Sequence, residues 1–331
     1  MSIFANNNLI QALRGEDTDR IPFWEVWYAM PELTERLLGH TADDIHGQIS
    51  LAKKLGWEYV RLWIPGHGIG GAQEVASDGS THYVQQGKIP LEEIYSRPEP
   101  DYAEARNAIE PAVRAAHDAG MAAIGYLPWC FHSVSTALGL EHLSYLIYDE
   151  PEYIDALMEW VEEGNRRAIS EIVIPCGIDI VLFDGDCAYK NGLMVRPSIF
   201  RELVFERTQK TIKPLLDNGT LCVLHSDGKL DELIPILIEL GFSGVHGVEA
   251  QANDLRDIKN RFGKDITLIG NMDVVFLTYA SPEEVRAETE KMLKIGSSGG
   301  RYIAACNTSP LDYIPHENYL AMVDVINHFR K

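Results

Sequence analysis

Short apolar runs rich in β-branched and aromatic residues alternate with amphipathic stretches along the whole chain. Near-continuous apolar runs of this length are typical of strands buried on both faces of a parallel sheet. The runs predicted as strands are Ile21–Trp27, Tyr59–Pro65, Ala122–Pro128, Ile178–Asp184, Leu221–Ser226, Ser243–Val248, Ile266–Asn271 and Arg301–Cys306. Strands that alternate with helices in this way predict an α/β fold, a (β/α)8 TIM barrel with an N-terminal helical extension. An open doubly wound sheet is the alternative.

The stretches between the later strands carry clear helix signals. Residues 229–240 place leucines three or four positions apart and end before Gly241, a favourable residue just after a helix. Pro235 interrupts that stretch and predicts a kink or a later helix start. Ser281 is a predicted cap for a helix over 282–295, because Pro282 at the first position and acidic residues in the first turn favour a helix start.

The stretch between the second and third predicted strands is longer than one helix requires. Asp78-Gly79 lies between two segments that read as strands, which is a hairpin signal. We predict a hairpin insertion here, a flap over residues 66–100 that covers the mouth of the barrel. No linker or change of composition divides the chain, so residues 1–331 are predicted to form a single catalytic domain.

Composition narrows the classes of function. The chain has 29 Lys and Arg against 49 Asp and Glu, a net charge of −20, which argues against nucleic-acid and anionic-membrane partners. No signal peptide is recognised, and no apolar run reaches the roughly 18 residues of a spanning helix. The five cysteines show no CxxC spacing. We therefore expect a cytoplasmic protein whose cysteines are thiols or metal ligands.

Metal-binding residue types follow the last predicted strands. His225 lies at the end of the fifth strand and Asp227 directly after it, Glu249 follows the sixth, and Cys306 ends the eighth. In a barrel these strand ends meet at one mouth, where active sites lie. His, Glu and Cys are zinc ligands, and three protein ligands with an open position are the catalytic pattern. We predict a metal site of His225, Glu249 and Cys306. The alternative is structural, with Cys306 as a small buried side chain and His225 as a hydrogen-bonded one.

Further residues at the same mouth are candidates for the rest of an active site. Asp184 and Asp186 follow the fourth strand and are predicted to act with Asp227 in catalysis, the alternative being solvated loop acids. Aromatic residues crowd the first three strand ends, and part of them is expected to form an apolar wall. That set is Trp24, Trp27, Tyr28, Trp63, Tyr126, Trp129 and Phe131. The predicted substrate-binding residues are Trp27, Tyr28, Trp129, His132 and Asn271.

The sequence resembles the uroporphyrinogen decarboxylase superfamily over most of its length. The similar segments are residues 9–25, 195–212, 221–250, 254–273, 281–293 and 314–324. This superfamily contains metal-free porphyrinogen decarboxylases and zinc-dependent methyltransferases that work with corrinoid proteins. The resemblance therefore implies a barrel enzyme, and the choice of reaction depends on individual positions.

Two positions favour the methyltransferase branch. Decarboxylases carry an Arg-rich motif after the first strand that binds the carboxylates of the substrate, whereas here the first arginine of that stretch is Arg36, inside the next predicted helix. The methyltransferases carry His-x-Cys-Gly at strand five and a second Cys at strand eight. His225 and Cys306 match that pattern, and Asp227 replaces the first Cys. Glu249 lies where the related cobalamin-independent methionine synthases have a Glu.

The resemblance implies a zinc-dependent methyltransferase that demethylates a methoxylated, aromatic small molecule. A carboxylate at Asp227 in place of a thiolate leaves a more electrophilic metal, better suited to an ether oxygen than to a thiol. Asp227 is either a fourth ligand or orients His225. The chain has no DxHxxG motif, so the corrinoid (cobalamin) is expected on a separate protein. The alternatives are a decarboxylase, a methylcorrinoid:thiol methyltransferase and a barrel that has lost its metal and its catalysis.

Overall fold

Parallel strands joined by helices form the main sheet of the computed structural model, which describes residues 7–69, 72–75, 81–84 and 87–329. The strands are β1 (Tyr59–Trp63), β2 (Ala72–Val75), β3 (Thr81–Val84), β4 (Ala122–Pro128), β5 (Ile180–Asp184), β6 (Ala188–Tyr189), β7 (Gly192–Leu193), β8 (Leu221–His225), β9 (Gly244–His246), β10 (Thr267–Ile269) and β11 (Tyr302–Ile303). Within the described residues, the main sheet has seven strands in the order β1-β4-β5-β8-β9-β10-β11, and all neighbours run parallel.

The remaining predicted strand, Ile21–Trp27, closes the barrel without forming a regular ladder. Phe23 pairs with Ala304 in an isolated parallel bridge just after β11. On its other side, the hydroxyl of Tyr59 in β1 accepts the N–H of Glu25 and donates to the Glu25 carbonyl, both at 2.9 Å. This segment therefore lies between β11 and β1 and completes a (β/α)8 TIM barrel, as predicted.

The later strands are shorter than the apolar runs that predict them. β9 ends before Gly247, whose φ is +118°, and β10 ends before Gly270, whose φ is +147°. These backbone conformations are open to glycine and rarely adopted by other residues. The chain consequently leaves the sheet early at both positions, and the rest of each run forms part of the mouth.

Helices surround the sheet. They are α1 (Asn8–Arg14), α2 (Pro31–Leu38), α3 (Ile45–Leu55), α4 (Leu91–Tyr95), α5 (Tyr102–Asp118), α6 (Cys130–Leu138), α7 (Leu140–Asp149), α8 (Pro151–Ala168), α9 (Ile174–Cys176), α10 (Pro197–Asn218), α11 (Ile234–Leu240), α12 (Leu255–Phe262), α13 (Val274–Tyr279), α14 (Pro282–Gly296) and α15 (His316–His328). A π-helical segment, Ile169–Val173, joins α8 to α9. Among the described residues, no helix is both long and apolar enough to span a membrane.

Local signals explain where several helices begin. α11 starts at Ile234 and places Pro235 in its first turn, which confirms the later start that the proline predicts. α14 begins with a capping box, in which Ser281 and Glu284 satisfy each other's backbone N–H groups. The five cysteines are buried free thiols.

The predicted hairpin insertion is present. β2 and β3 pair antiparallel directly after β1, which confirms a hairpin at this place in the chain. Its predicted Asp78-Gly79 turn lies outside the described residues. The covering of the mouth by residues 66–100, the single-domain organisation and the cytoplasmic location stay predictions.

Candidate active site

Three polar residues lie side by side at the carboxyl ends of neighbouring strands. In the ladder, Asp184 of β5 pairs with His225 of β8, and His225 pairs with His246 of β9. Residues in register on parallel strands point to the same side of a sheet. His225 and His246 are 4% and 1% exposed, so both imidazoles are buried in the mouth rather than solvated on its rim.

Two loop carboxylates meet the imidazole of His225 and form the central cluster of the mouth. Its Nε2 atom lies 3.6 Å from Oδ1 of Asp186 and 3.9 Å from Oδ1 of Asp227. One ligand atom from each of the three residues lies within 4.8 Å of the others. The backbone N–H of Asp227 donates to Oδ1 of Asp186 at 2.8 Å, which fixes one loop against the other. We call these three residues the mouth cluster.

The mouth cluster contains two carboxylates, and Asp184 and Glu249 add further negative charge beside it. Oδ1 of Asp227 is shielded from solvent and has no hydrogen-bond partner among the described residues. Burial, together with the charges of Asp186, Glu249 and Asp184, raises the pKa of Asp227 to about 6, although the nearby His225 lowers it. The Asp227 side chain as a whole is 40% exposed, but a shielded Oδ1 without a hydrogen bond is costly. A divalent cation would relieve that cost, and one imidazole with two carboxylates is a donor set that zinc accepts. The cluster therefore fits a metal ion.

A second imidazole lies behind the mouth cluster. Nδ1 of His246 is 2.7 Å from Nδ1 of His225, and Nε2 of His246 is 3.2 Å from the carbonyl oxygen of Cys306. Burial, and then the neighbouring His225, hold the pKa of His246 well below its usual range. Sequence reasoning missed this residue. The available signal is its position at the end of an apolar run on the strand next to His225.

Three aromatic side chains line the mouth beside His225. The rings of Trp27 and Trp63 are stacked with centroids 5.4 Å apart, and Tyr126 lies 4.8 Å from Trp27 and 5.2 Å from Trp63. The rings of Trp27 and His225 are nearly perpendicular, with centroids 6.5 Å apart. Trp63 is 69% exposed, so it presents an open apolar face. We call these three residues the aromatic wall.

Comparison with known proteins identifies the family. The family model for uroporphyrinogen decarboxylase (URO-D) matches residues 97–329, which is more than half of the chain. The chain belongs to the uroporphyrinogen decarboxylase family. A uroporphyrinogen decarboxylase of Alkalilimnicola ehrlichii is 23% identical over 357 aligned residues, which cover 99% of this chain and 95% of that protein. A uroporphyrinogen decarboxylase of Ruthia magnifica subsp. Calyptogena magnifica is 36% identical over 98 residues, 29% of this chain and 27% of that protein.

A solved structure supports the assignment of the fold. A methyltransferase from Methanosarcina mazei is similar with a TM-score of 0.73 and 19% sequence identity, and the match covers 97% of both chains. At this identity the likeness shows a shared fold alone. Membership of the URO-D family and the barrel fold, both expected from the sequence, are thus confirmed.

In this URO-D family member, the predicted zinc ligands do not all converge. His225 belongs to the mouth cluster, but neither Glu249 nor Cys306 places a ligand atom in it. Oε2 of Glu249 accepts the backbone N–H of Gly228 at 3.1 Å, which holds the loop that carries Asp227. The carboxylates that meet the imidazole of His225 are those of Asp186 and Asp227, and ligation of a metal by Glu249 and Cys306 stays a prediction.

Cys306 is engaged with a buried acid instead. Its backbone N–H donates to Oε2 of Glu25 at 3.2 Å, and its thiol is also hydrogen-bonded to Glu25. Burial, and then the charge of Glu25, raise the pKa of the Cys306 thiol well above its usual range. Burial also raises the pKa of Glu25 to about 7. These contacts hold Cys306 beside Glu25, so its thiol lies outside the mouth cluster. Sequence reasoning missed Glu25, a lone acid within an apolar run.

The predicted substrate residues divide into mouth and interior positions. Trp27 belongs to the aromatic wall. Trp129, in contrast, is fully buried and donates its indole N–H to Oγ1 of Thr208 at 2.9 Å. Tyr28 is buried as well, and its hydroxyl donates to the carbonyl of Met30. Trp129 thus lies in the interior, and Tyr28, at 8% exposure, lines a cleft with Thr34 and Arg61, so contact of either residue with a substrate stays a prediction.

The other two candidates lie on partly open surface. His132 is half-exposed near the start of α6. Asn271 follows β10 and lines a cleft of about 530 Å³ together with Asp273 and Phe276. Their contact with a substrate stays a prediction.

A second set of potential ligands has a structural explanation. Glu32, Asp312 and His316 each place one ligand atom within 4.8 Å of the others. Oδ2 of Asp312 accepts the backbone N–H of Glu32 at 3.1 Å and so caps the first turn of α2. His316 then lies 3.5 Å from the other oxygen of Asp312. This set links α2 to α15 and shares no residue with the mouth cluster.

Proposed function

We propose that this URO-D family member is a zinc-dependent methyltransferase that demethylates a methoxylated aromatic molecule and passes the methyl group to a corrinoid on a separate protein. The observation that carries the proposal is the shielded, unpartnered oxygen of Asp227 beside Nε2 of His225, next to the aromatic wall. The shared fold with a protein described as a methyltransferase is consistent with it.

The mouth cluster is the proposed metal site. Asp186, His225 and Asp227 would hold the zinc ion, which when bound supplies Lewis acidity and lowers the cost of negative charge on a leaving oxygen. Glu249 supports Asp227 indirectly, because it fixes the backbone of Gly228. Asp184 lies beside His225 in the ladder and adds negative charge at the rim. Asp186 and Asp227 thus act as ligands in this proposal, and Asp184 and Glu249 position and polarise the site.

The aromatic wall is the proposed surface for the methoxyarene ring. Trp63 offers an exposed face for stacking, while Trp27 stacks on it and lies nearly perpendicular to the ring of His225. Stacked aromatic rings gain about 0.5–1.5 kcal/mol beyond the burial of apolar area. A ring bound there would direct its methoxy group toward the mouth cluster. In the proposed transfer, the bond between the oxygen and the methyl carbon would break, the oxygen would leave as a phenolate, and a Co(I) corrinoid on the separate protein would supply the electron pair that takes up the methyl group.

Decarboxylation of a porphyrinogen is the second candidate. The family model and the curated relatives carry that name, which favours it. The electrostatics of the mouth disfavour it, because Asp184, Asp186, Asp227 and Glu249 would repel a substrate with several carboxylates. Arg36, the first arginine after the first strand segment, is exposed in the last turn of α2. Thiol methylation ranks third, because Asp227 gives the proposed metal an oxygen ligand where a thiolate would favour soft sulfur.

An assay with two substrates tests the proposal. The purified protein, loaded with zinc, is given a methoxyphenol with free cob(I)alamin as the methyl acceptor, and in parallel uroporphyrinogen. We expect formation of methylcobalamin and of the demethylated phenol, and no release of carbon dioxide. A His225→Ala variant should lose the methyl transfer, while Arg36→Ala should keep it. Enzymatic release of carbon dioxide from uroporphyrinogen, with no methyl transfer, would overturn the proposal in favour of decarboxylation.

A further inference from the structure

We infer that His246 is a positioning residue that fixes the tautomer of His225, so that Nδ1 of His225 carries the proton and Nε2 presents a lone pair to Asp186 and Asp227. The consequence for metal binding rests on the proposed function. The tautomer itself does not, because it follows from the hydrogen bonds of the two imidazoles.

The first step is the proton on His246. Its Nε2 atom lies 3.2 Å from the carbonyl oxygen of Cys306. A carbonyl oxygen only accepts hydrogen bonds, so Nε2 of His246 must donate and carries a proton. His246 is 1% exposed, and a second proton would place a positive charge in the barrel interior. Nδ1 of His246 is therefore a bare acceptor.

The second step is the proton between His246 and His225. The two Nδ1 atoms are 2.7 Å apart, and a hydrogen bond between two ring nitrogens contains one proton. Because Nδ1 of His246 accepts, Nδ1 of His225 must donate. When the imidazole of His225 is neutral, as ligation of a metal requires, its one proton is therefore on Nδ1 and Nε2 has the lone pair.

The third step is the position of that lone pair. Nε2 of His225 faces two carboxylate oxygens at 3.6 and 3.9 Å, both beyond hydrogen-bond distance. The opposite tautomer would place an N–H there and form an ordinary bond to a carboxylate. The tautomer set by His246 instead assembles three electron-pair donors around one point, an arrangement that a cation stabilises. The carbonyl of Cys306 thereby orients the imidazole of His225 through His246, although the thiol of Cys306 is not part of the cluster.

Nitrogen NMR of the metal-free protein measures the tautomer directly. With ¹⁵N-labelled histidine, at a pH high enough for the imidazole to be neutral, and with His225→Gln to assign the signal, we expect a protonated Nδ1 and a bare Nε2 for His225 in the wild type. His246→Phe removes the acceptor and should move the proton of His225 to Nε2, while His246→Gln, which retains an acceptor oxygen, should preserve the wild-type tautomer. His328→Phe, at an exposed position on α15, is the control and should change nothing.

The wild-type spectrum decides the inference even if a variant does not fold. A proton on Nε2 of His225, or protons on both its nitrogens, in the wild type would overturn it, and so would an unchanged tautomer in a folded His246→Phe protein.

Zinc affinity separates this inference from the proposed function. By competition with a chelator, we expect His246→Phe to bind zinc about 10- to 100-fold more weakly than the wild type, and His246→Gln to recover part of the loss. A wild type that binds no zinc but shows the expected tautomer would contradict the proposed function and leave the positioning by His246 intact. Equal zinc affinity of the wild type and His246→Phe would overturn the role of His246 in metal binding.

Discussion

Exposed and buried aromatic residues at the mouth have different roles. Trp63 is exposed and stacks on Trp27, whereas Trp129 is fully buried and packs edge-on against Phe200. The sequence placed both tryptophans at strand ends and could not distinguish them, because their exposure depends on the neighbouring helices. Trp129 is covered by α10, which supplies both Phe200 and Thr208.

Substitution of these two tryptophans should separate binding from folding. Trp63→Ala removes an open stacking face worth about 0.5–1.5 kcal/mol, so KM for a methoxyarene should rise about two- to tenfold with little change in Tm. Trp129→Ala creates a cavity in the interior and should lower the free energy of unfolding by about 3–5 kcal/mol. Steady-state kinetics and chemical denaturation measure the two effects. An unchanged KM in Trp63→Ala would remove the aromatic wall from substrate binding.

At the residue scale, the candidate site was predictable only in part. His225, Asp186 and Asp227 are recognisable because they directly follow strands whose ends must meet in a barrel. Glu25 and His246 were missed, since each lies inside a run that otherwise reads as buried strand. Their importance depends on partners 281 and 21 residues away, Cys306 and His225. No local pattern contains those pairings.

At the element scale, helix α8 carries a buried acid on the face that packs into the protein. Glu162 is fully buried, and burial raises its pKa above its usual value. The nearby charge of Arg166 offsets only part of that shift. Glu163, the next residue on the same helix, forms an exposed ion pair with Arg166. The two glutamates therefore provide a matched pair for a test of burial.

Glu162 should make stability depend on pH. Because its pKa is higher in the folded than in the unfolded chain, its contribution to stability is complete below the usual value of 4.5 and is lost as pH rises through the raised pKa. Glu162→Gln cannot ionise, so its stability relative to the wild type should increase with pH, by the order of 1 kcal/mol at neutral pH. Denaturant unfolding across this pH range measures it. Glu163→Gln should show no such trend, and a trend of equal size there would contradict the effect of burial.

Most helices were predictable because their signals are local. The cap at Ser281 and the proline at Pro235 each determine a helix start within one turn of the residue itself. Strand lengths were less predictable. β9 and β10 end early at Gly247 and Gly270, where the backbone turns out of the sheet toward the mouth. A run of apolar residues predicts that a segment is buried, and both the strand and the packed loop after it are buried. The run therefore does not show where the strand ends.

At the scale of the whole molecule, the barrel topology brings residues that are distant in the sequence together in one candidate site. Asp186, His225 and His246 come from the ends of three successive strands of one sheet, and the parallel register aligns those ends. The sequence therefore predicted that the side chains at these strand ends meet at one end of the barrel. Sequence reasoning selected Glu249 and Cys306 as partners of His225. The type of a residue and its position on a strand do not show whether its side chain is already hydrogen-bonded to another group.

Zinc content of the wild type and three variants tests the central claim most directly. Elemental analysis of protein purified without chelator should find about one zinc per chain in the wild type and less than about a tenth of that in His225→Ala and Asp227→Ala, because each loses a ligand of the mouth cluster. Cys306→Ala should retain its zinc, since its thiol is bonded to Glu25. A wild type without zinc, or loss of zinc in Cys306→Ala with retention in Asp227→Ala, would contradict a metal centre built on Asp186, His225 and Asp227.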